Sequence, residues 1–217
     1  MKNIIKKTEI YVMSTLGKEP TGHDWWHADR VRKLALHIAK HEPSANLQIV
    51  ELASLLHDIA DWKFHNDNEE IGPETARFWL KSLKNVPEPI IIAICDIIKN
   101  ISFKGATVHH ATLTLEGQIV QDADRLDAIG AIGIARAFAF GGNKGHEIYN
   151  PGEEPIFHNS FTEYKLRRAS SINHFHEKLL LLKDRMNTQT GLDIAKARHQ
   201  YMLNFLQEFD AEWNSRF

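Results

Sequence analysis

Apolar residues recur at helical spacing along nearly the whole chain, and this periodicity constrains the fold more than any other feature. Val31, Leu34, Ala35 and Ile38 follow an i, i+3, i+4, i+7 pattern, and Ile49, Leu52, Ala53 and Leu56 repeat it. Each set therefore lines one stripe of a helix. Ser44 is expected to cap the second of these helices, and Pro43 to close the first. Further helices are predicted over 74–83 behind Pro73, and over 89–100, 115–140, 161–186 and 191–213. The 89–100 segment is apolar nearly all round, which places it centrally. No stretch alternates convincingly at period two, and no internal repeat is found. With 43% hydrophobic residues among 217, the chain can bury a substantial core. The expected architecture is a single all-α domain, an orthogonal bundle of roughly seven to nine helices.

Composition narrows the function classes. A formal net charge of −2 gives no electrostatic case for nucleic-acid binding. The one cysteine, Cys95, excludes an internal disulfide framework and a cysteine-based zinc site, and a reducing, cytoplasmic location is the simplest expectation. The start, MKNIIKKTEIYVMSTLG, lacks a signal-peptide h-region, and the most apolar run, PIIIAICDII, is too short to span a bilayer. Neither membrane insertion nor nucleic-acid partnership is expected. The interval FGGNKGHEIYNPGEEPIFHNS concentrates Gly141, Gly142, Gly145, Pro151, Gly152 and Pro155. It reads as a long loop, either a surface connection or a lid.

The stretch ASLLHDIADW places a histidine and an aspartate directly behind an apolar run. A carboxylate there needs compensation, and a cation can supply it. His57 and Asp58 diverge by about 100° if helical, so they can share an ion only where the helix end points at it. Other ligand types lie in GHDWWHADRV, where His23 and His27 form an i, i+4 pair, and in EGQIVQDADRLD, which holds Asp122, Asp124 and Asp127. Asp122 and Asp124 are about 200° apart on a helix, so one of them at most faces a given ion.

The order HADRV, LLHDIAD, DADRLD resembles the HD-domain metal-dependent phosphohydrolase superfamily. EGQIVQDADRLDAIGAIGIARAF and HFHEKLLLLKDRMNT further resemble its small bacterial stand-alone branch, the YedJ/YpgQ-like proteins, over nearly the whole chain. The resemblance implies a bundle of the HD-domain type and a divalent metal held by His27, His57, Asp58 and Asp124. It also implies hydrolysis of nucleotides, with (deoxy)nucleoside triphosphates split to release pyrophosphate as the leading activity. Two imidazoles and two carboxylates suit Mn²⁺, the favoured ion, or Fe²⁺, Co²⁺, Ni²⁺ or Zn²⁺, with Mg²⁺ also open. Phosphodiesterase action on a cyclic nucleotide or dinucleotide uses the same ligands, and a nucleotide-sensing metal domain without turnover is the non-enzymatic alternative.

Around that set, Asp61 lies four residues after His57, where it is expected either to take a proton from water or to orient His57. Lys63 is a candidate phosphate contact and catalytic cation. His23, Arg30, His65 and Arg125 are candidate substrate-binding groups, Arg125 alternatively pairing with Asp122 or Asp127. Asp24 is a candidate hydrogen-bond partner for a ligand histidine. Trp25 and Trp26 are candidates to stack on a base, though core packing is the commoner use. His109 and His110 are considered for a second metal, and His174 and His176 as more distant candidates. Gly130 and Gly133 fit neither phosphate-loop spacing and are expected to allow close helix packing. The single domain is divided into a metal core over about 20–140, a mobile loop over about 141–158 and C-terminal helices over 158–215, which could also support a homodimer.

Overall fold

A computed structural model describes residues 2–17, 22, 24–60, 68, 70–101, 112–156 and 169–216. Among them the fold is all-α: α1 Lys2–Leu16, α2 Trp25–Ala39, α3 Leu47–Leu56, α4 Ile71–Ser82, α5 Glu88–Asn100, α6 Leu115–Asp127, α7 Gly130–Lys144, α8 Ser171–Glu177, a 3-10 helix Leu179–Arg185 and α9 Gln189–Trp213. Packing divides them into two compact units. The first holds the described residues through Asp124 apart from Gly22. The second holds Gly22 and the residues from Arg125 onward.

In the first unit α2 packs on α3, α3 on α5, and α5 on α4. The predicted stripes are the buried ones: Val31, Ala35 and Ile38 of α2 and Leu52, Ala53 and Leu56 of α3 have no exposed surface. The N-cap of α3 is Asn46 rather than Ser44. The Asn46 Oδ1 accepts hydrogen bonds from the Gln48 and Ile49 N–H groups at 3.1 and 3.4 Å. Ser44 stands two residues too early to reach them. Helix α1 escaped the sequence reading, although Ile5, Thr8, Val12 and Leu16 form its buried stripe. Its apolar face is thin, and Thr8 breaks the hydrophobic signal. That threonine earns its burial through polar contacts: its hydroxyl accepts from the Trp79 Nε1–H at 3.0 Å, and Trp79 stacks on Tyr11 at 4.0 Å.

Arg32 of α2 ties α1 to α3. Its guanidinium donates to Glu51 through Nε at 2.9 Å and Nη2 at 2.6 Å, and to Glu9 through Nη1. Burial works against the charged Glu9 carboxylate, but Lys6 and Arg32 outweigh it and hold its pKa below the ordinary 4.5. A carboxylate with a lowered folded pKa stabilises the fold above its unfolded pKa, and that stability is lost as pH falls through the folded value. Arg32→Ala is therefore expected to cost about 1–2 kcal/mol near pH 7, discounted for partial exposure. The gap to wild type should narrow below about pH 4.5 as Glu9 takes up a proton. Urea denaturation at pH 7 and pH 4 measures both values; an equal gap at the two pH values contradicts the assignment.

In the second unit α9 packs on α7 and on the 3-10 helix. The helix predicted over 115–140 is broken: α6 ends at Asp127, and α7 begins at Gly130, whose φ of +77° is left-handed. A Cβ on Gly130 would also stand 3.0 Å from Arg198 Cγ, and one on Gly133 only 2.2 Å from the Ala128 carbonyl oxygen. Gly130 thus serves both a left-handed turn and the close approach of α9 that was expected of it, whereas Gly133 makes room for the turn between α6 and α7. Helix α7 continues through Lys144, so Gly141 and Gly142 are helical and the loop starts at the left-handed C-cap Gly145. Residues beyond it are tied to α8. The N–H groups of Ser171 and Ile172 donate to the carbonyls of Glu147 and Ile148 at 2.9 and 3.0 Å. Asn173 Nδ2 donates to the Glu153 carbonyl, and the Ile156 N–H donates to Glu177 Oε1, both at 2.9 Å. Where one helix was predicted over 161–186, the described part is α8 followed by the 3-10 helix, with Lys178 (φ −139°, ψ −59°) breaking the run; residues 161–168 lie outside the described residues.

Candidate metal centre

Three elements of the first unit deliver four ligand-type side chains to one place. His27 enters in the first turn of α2. Asp24 caps that helix, its Oδ1 accepting the His27 N–H at 2.9 Å, so Asp24 does bond the histidine, through the backbone and not the ring. His57 is the C-cap of α3. The helix stops at Leu56 and the chain turns through 57–60, so His57 and Asp58 project from a helix end and escape the divergence of adjacent helical residues. Asp61, the candidate four residues after His57, lies outside the described residues. Asp124 comes from α6.

The ligand atoms crowd together. His27 Nε2 is 3.1 Å from His57 Nε2, 3.2 Å from Asp58 Oδ2 and 3.4 Å from Asp124 Oδ1. His57 Nε2 is 3.5 Å from Asp58 Oδ2 and 3.7 Å from Asp124 Oδ1. Donor atoms about 2.1 Å from a common ion stand roughly 3.0–3.5 Å apart, so these spacings suit one coordination sphere. His27 and His57 are buried and Asp124 is half-exposed, its side chain 33% accessible, so the cluster is open on the carboxylate side. Among the described residues, His27, His57 and Asp124 form a group able to hold a metal ion, and Asp58 borders both rings.

Protonation is consistent with that chemistry. His57 Nδ1 lies 2.8 Å from the Ser54 carbonyl oxygen. A carbonyl only accepts, so Nδ1 carries the hydrogen and Nε2 keeps a lone pair when the ring is neutral. Burial disfavours the charged ring of His57, yet Asp58 and Asp124 outweigh it against the opposing His27, and its pKa is raised. Burial likewise resists the Asp124 carboxylate, but hydrogen bonds from His27 and His57 hold its pKa well below the usual range. A proton on the imidazole pair thus offsets the carboxylates, and an incoming cation would take its place.

Arg30 is half-buried on α2. Arg125 is buried in the second unit, where its guanidinium donates to the Arg185 carbonyl. Asp127, considered as a partner for it, pairs with Arg136 at 3.0 Å, and Asp122 is fully buried. Trp25 is buried in the first unit, whereas Trp26 is 63% exposed. His174 and His176 flank the buried Phe175 in the second unit. His23, Lys63, His65, His109 and His110 lie outside the described residues. No helix among the described residues is long and apolar enough to cross a membrane.

The helical bundle with this two-histidine, two-carboxylate cluster defines a hydrolase class, and the chain belongs to it: it is a member of the HD-domain family, whose domain matches residues 25–129. It is 38% identical to the Bacillus subtilis protein YpgQ, covering 98% of this chain and 96% of YpgQ. A crystal structure from Lactobacillus plantarum superposes with a TM-score of 0.87 at 38% identity, covering 99% of this chain and 98% of the other. A Bacillus thuringiensis HD-superfamily hydrolase superposes at 0.74 with 42% identity and 98% coverage of both chains. The structure of YpgQ in complex with ADP superposes at 0.74 with 36% identity, covering 96% of this chain and 97% of YpgQ.

Proposed function

We propose that this HD-superfamily hydrolase is a metal-dependent nucleotide phosphohydrolase whose main reaction is the splitting of (deoxy)nucleoside triphosphates to monophosphate and pyrophosphate. The observation that carries the proposal is the cluster itself, five donor-to-donor distances between 3.1 and 3.7 Å contributed by α2, the end of α3 and α6. His27, His57, Asp58 and Asp124 would hold the ion, which when bound supplies Lewis-acid polarisation of a phosphoryl oxygen and an acidified water. Mn²⁺ is the favoured ion, because a mixed nitrogen and oxygen donor set suits it.

The chain supplies the rest. Ser54 fixes the tautomer of His57, and Asp24 fixes the backbone from which His27 projects. Asp61 is the residue assigned to accept the proton of the attacking water. Lys63, His23, Arg30 and His65 are assigned to the charge of the phosphates. Water adds at the α-phosphorus, the α–β anhydride bond breaks, and pyrophosphate leaves. The ADP complex of YpgQ supports a nucleotide as the ligand class.

A panel of ribo- and deoxyribonucleoside triphosphates, diphosphates and cyclic nucleotides, each tested with Mn²⁺, Co²⁺, Zn²⁺ and Mg²⁺, decides the point. Pyrophosphate and monophosphate in equal amounts are the expected products. Hydrolysis confined to cyclic substrates would make the protein a phosphodiesterase. Tight nucleotide binding without turnover under every metal would make it a sensor.

A further inference from the structure

Gly72, in the first turn of α4, touches neither the ligand cluster nor any group assigned above. A methyl built on it would stand 3.2 Å from the Ala60 carbonyl oxygen and 3.3 Å from Ile98 Cγ2. Both distances are tighter than ordinary carbon contacts, so one neighbour would have to yield by a few tenths of an ångström. Ala60 ends the turn over residues 57–60, which carries His57 and Asp58. That turn is short and self-bonded, the Ile59 N–H donating to the Leu56 carbonyl at 3.1 Å. A push on Ala60 is therefore passed back through Ile59 to Asp58 and His57.

The opposite side is held. The first turn of α4 is fastened to α5 by the Cys95 thiol, which donates to the Pro73 carbonyl at 3.4 Å, and by the Lys99–Glu70 ion pair at 2.5 Å. Ile98 is buried and β-branched, with a stiff side chain. Helix α5 in turn packs on α3 as well as α4. With α4 held against α5, the displacement falls on the turn, through the Ala60 carbonyl that the methyl meets.

We infer that Gly72 is a positioning residue for the metal centre: its missing side chain lets α4 back the His57–Asp58 turn closely enough to set where those two ligands stand. The inference rests on the proposed metal site. Ligand groups must be held to within about half an ångström to work together, and changes to groups that orient ligands typically weaken metal affinity about 10- to 100-fold. Gly72→Ala is expected to weaken Mn²⁺ binding roughly tenfold.

The test is Mn²⁺ binding to the full-length protein, read by the electron paramagnetic resonance of free Mn²⁺ and independent of turnover. Wild type, Gly72→Ala and Gly142→Ala are compared. Gly142 is also helical but has nothing within 4 Å of a Cβ, so it controls for the helix-favouring effect of alanine, which by itself makes a folded helix more stable. A tenfold loss in Gly72→Ala beside unchanged affinity in Gly142→Ala supports the inference. Equal affinity in all three overturns it and leaves the metal site standing. A wild type that holds no Mn²⁺ overturns the metal site and this inference together. Should Gly72→Ala fail to fold, all three proteins are compared in the stabilising osmolyte trimethylamine N-oxide. A tenfold loss confined to Gly72→Ala then supports the inference, and equal affinity overturns it.

Discussion

Asp58→Ala is expected to lower nucleotide hydrolysis by about a thousandfold or more while the protein stays folded. The ion contributes several kcal/mol to the transition state, and each 1.36 kcal/mol is a factor of ten in rate. Of the four proposed ligands, Asp58 is the best suited to the experiment. Its Oδ2 stands 3.2 and 3.5 Å from the two imidazole nitrogens, yet its side chain is 17% exposed and sits on a turn instead of in the packed core. Removing it leaves Asp124 facing the same two rings, so the imidazole pair keeps a carboxylate partner in the metal-free protein. Far-UV circular dichroism and a thermal melt of the variant should thus match wild type closely. Unchanged turnover at saturating Mn²⁺ would exclude Asp58 as a ligand.

Phe175→Ala should produce the largest loss of stability, about 3–5 kcal/mol. Phe175 has no exposed surface. Its ring lies 5.8 Å from Phe205 and 6.1 Å from Phe138, and aromatic pairs add about 0.5–1.5 kcal/mol beyond burial. The cluster joins α7, α8 and α9 and is the core of the second unit. Against a total stability of about 5–15 kcal/mol, the loss is a large share. Tyr201→Ala, on α9 of the same unit but 55% exposed, is the comparison and should stay within about 0.5 kcal/mol. Urea denaturation followed by tryptophan fluorescence gives both values; a Phe175→Ala loss below about 1 kcal/mol would show that this cluster is not a packed core.

Helix by helix, legibility tracked how local the deciding interaction was. The stripes of α2 and α3 were plain because burial at i, i+3, i+4 and i+7 leaves a mark within two turns of chain. Helix α1 was missed because its stripe includes Thr8, whose burial depends on Trp79, 71 positions away. The break between α6 and α7 was missed because Ala128, Ile129 and Gly130 carry no proline. What demands a left-handed residue there includes the side chain of Arg198 lying over Gly130. The cap of α3 was misplaced by two residues because Ser44 and Asn46 both have capping side chains and only the backbone geometry distinguishes them.

For the cluster, the resemblance to HD-domain hydrolases carried by HADRV, LLHDIAD and DADRLD named the four side chains. Spacing along the chain could not show that Asp127 turns to Arg136 while Asp124 meets His27 and His57.

Taken alone, the amino-acid string determined the helical class and the chemistry on offer, because amphipathic period and ligand type are properties of short segments. Only the folded chain decided that α3 would end one residue before His57, that α4 would come up against Ala60, and that charged side chains would shift one another's protonation. Those outcomes depend on distances between segments far apart in sequence, and such distances are set by packing.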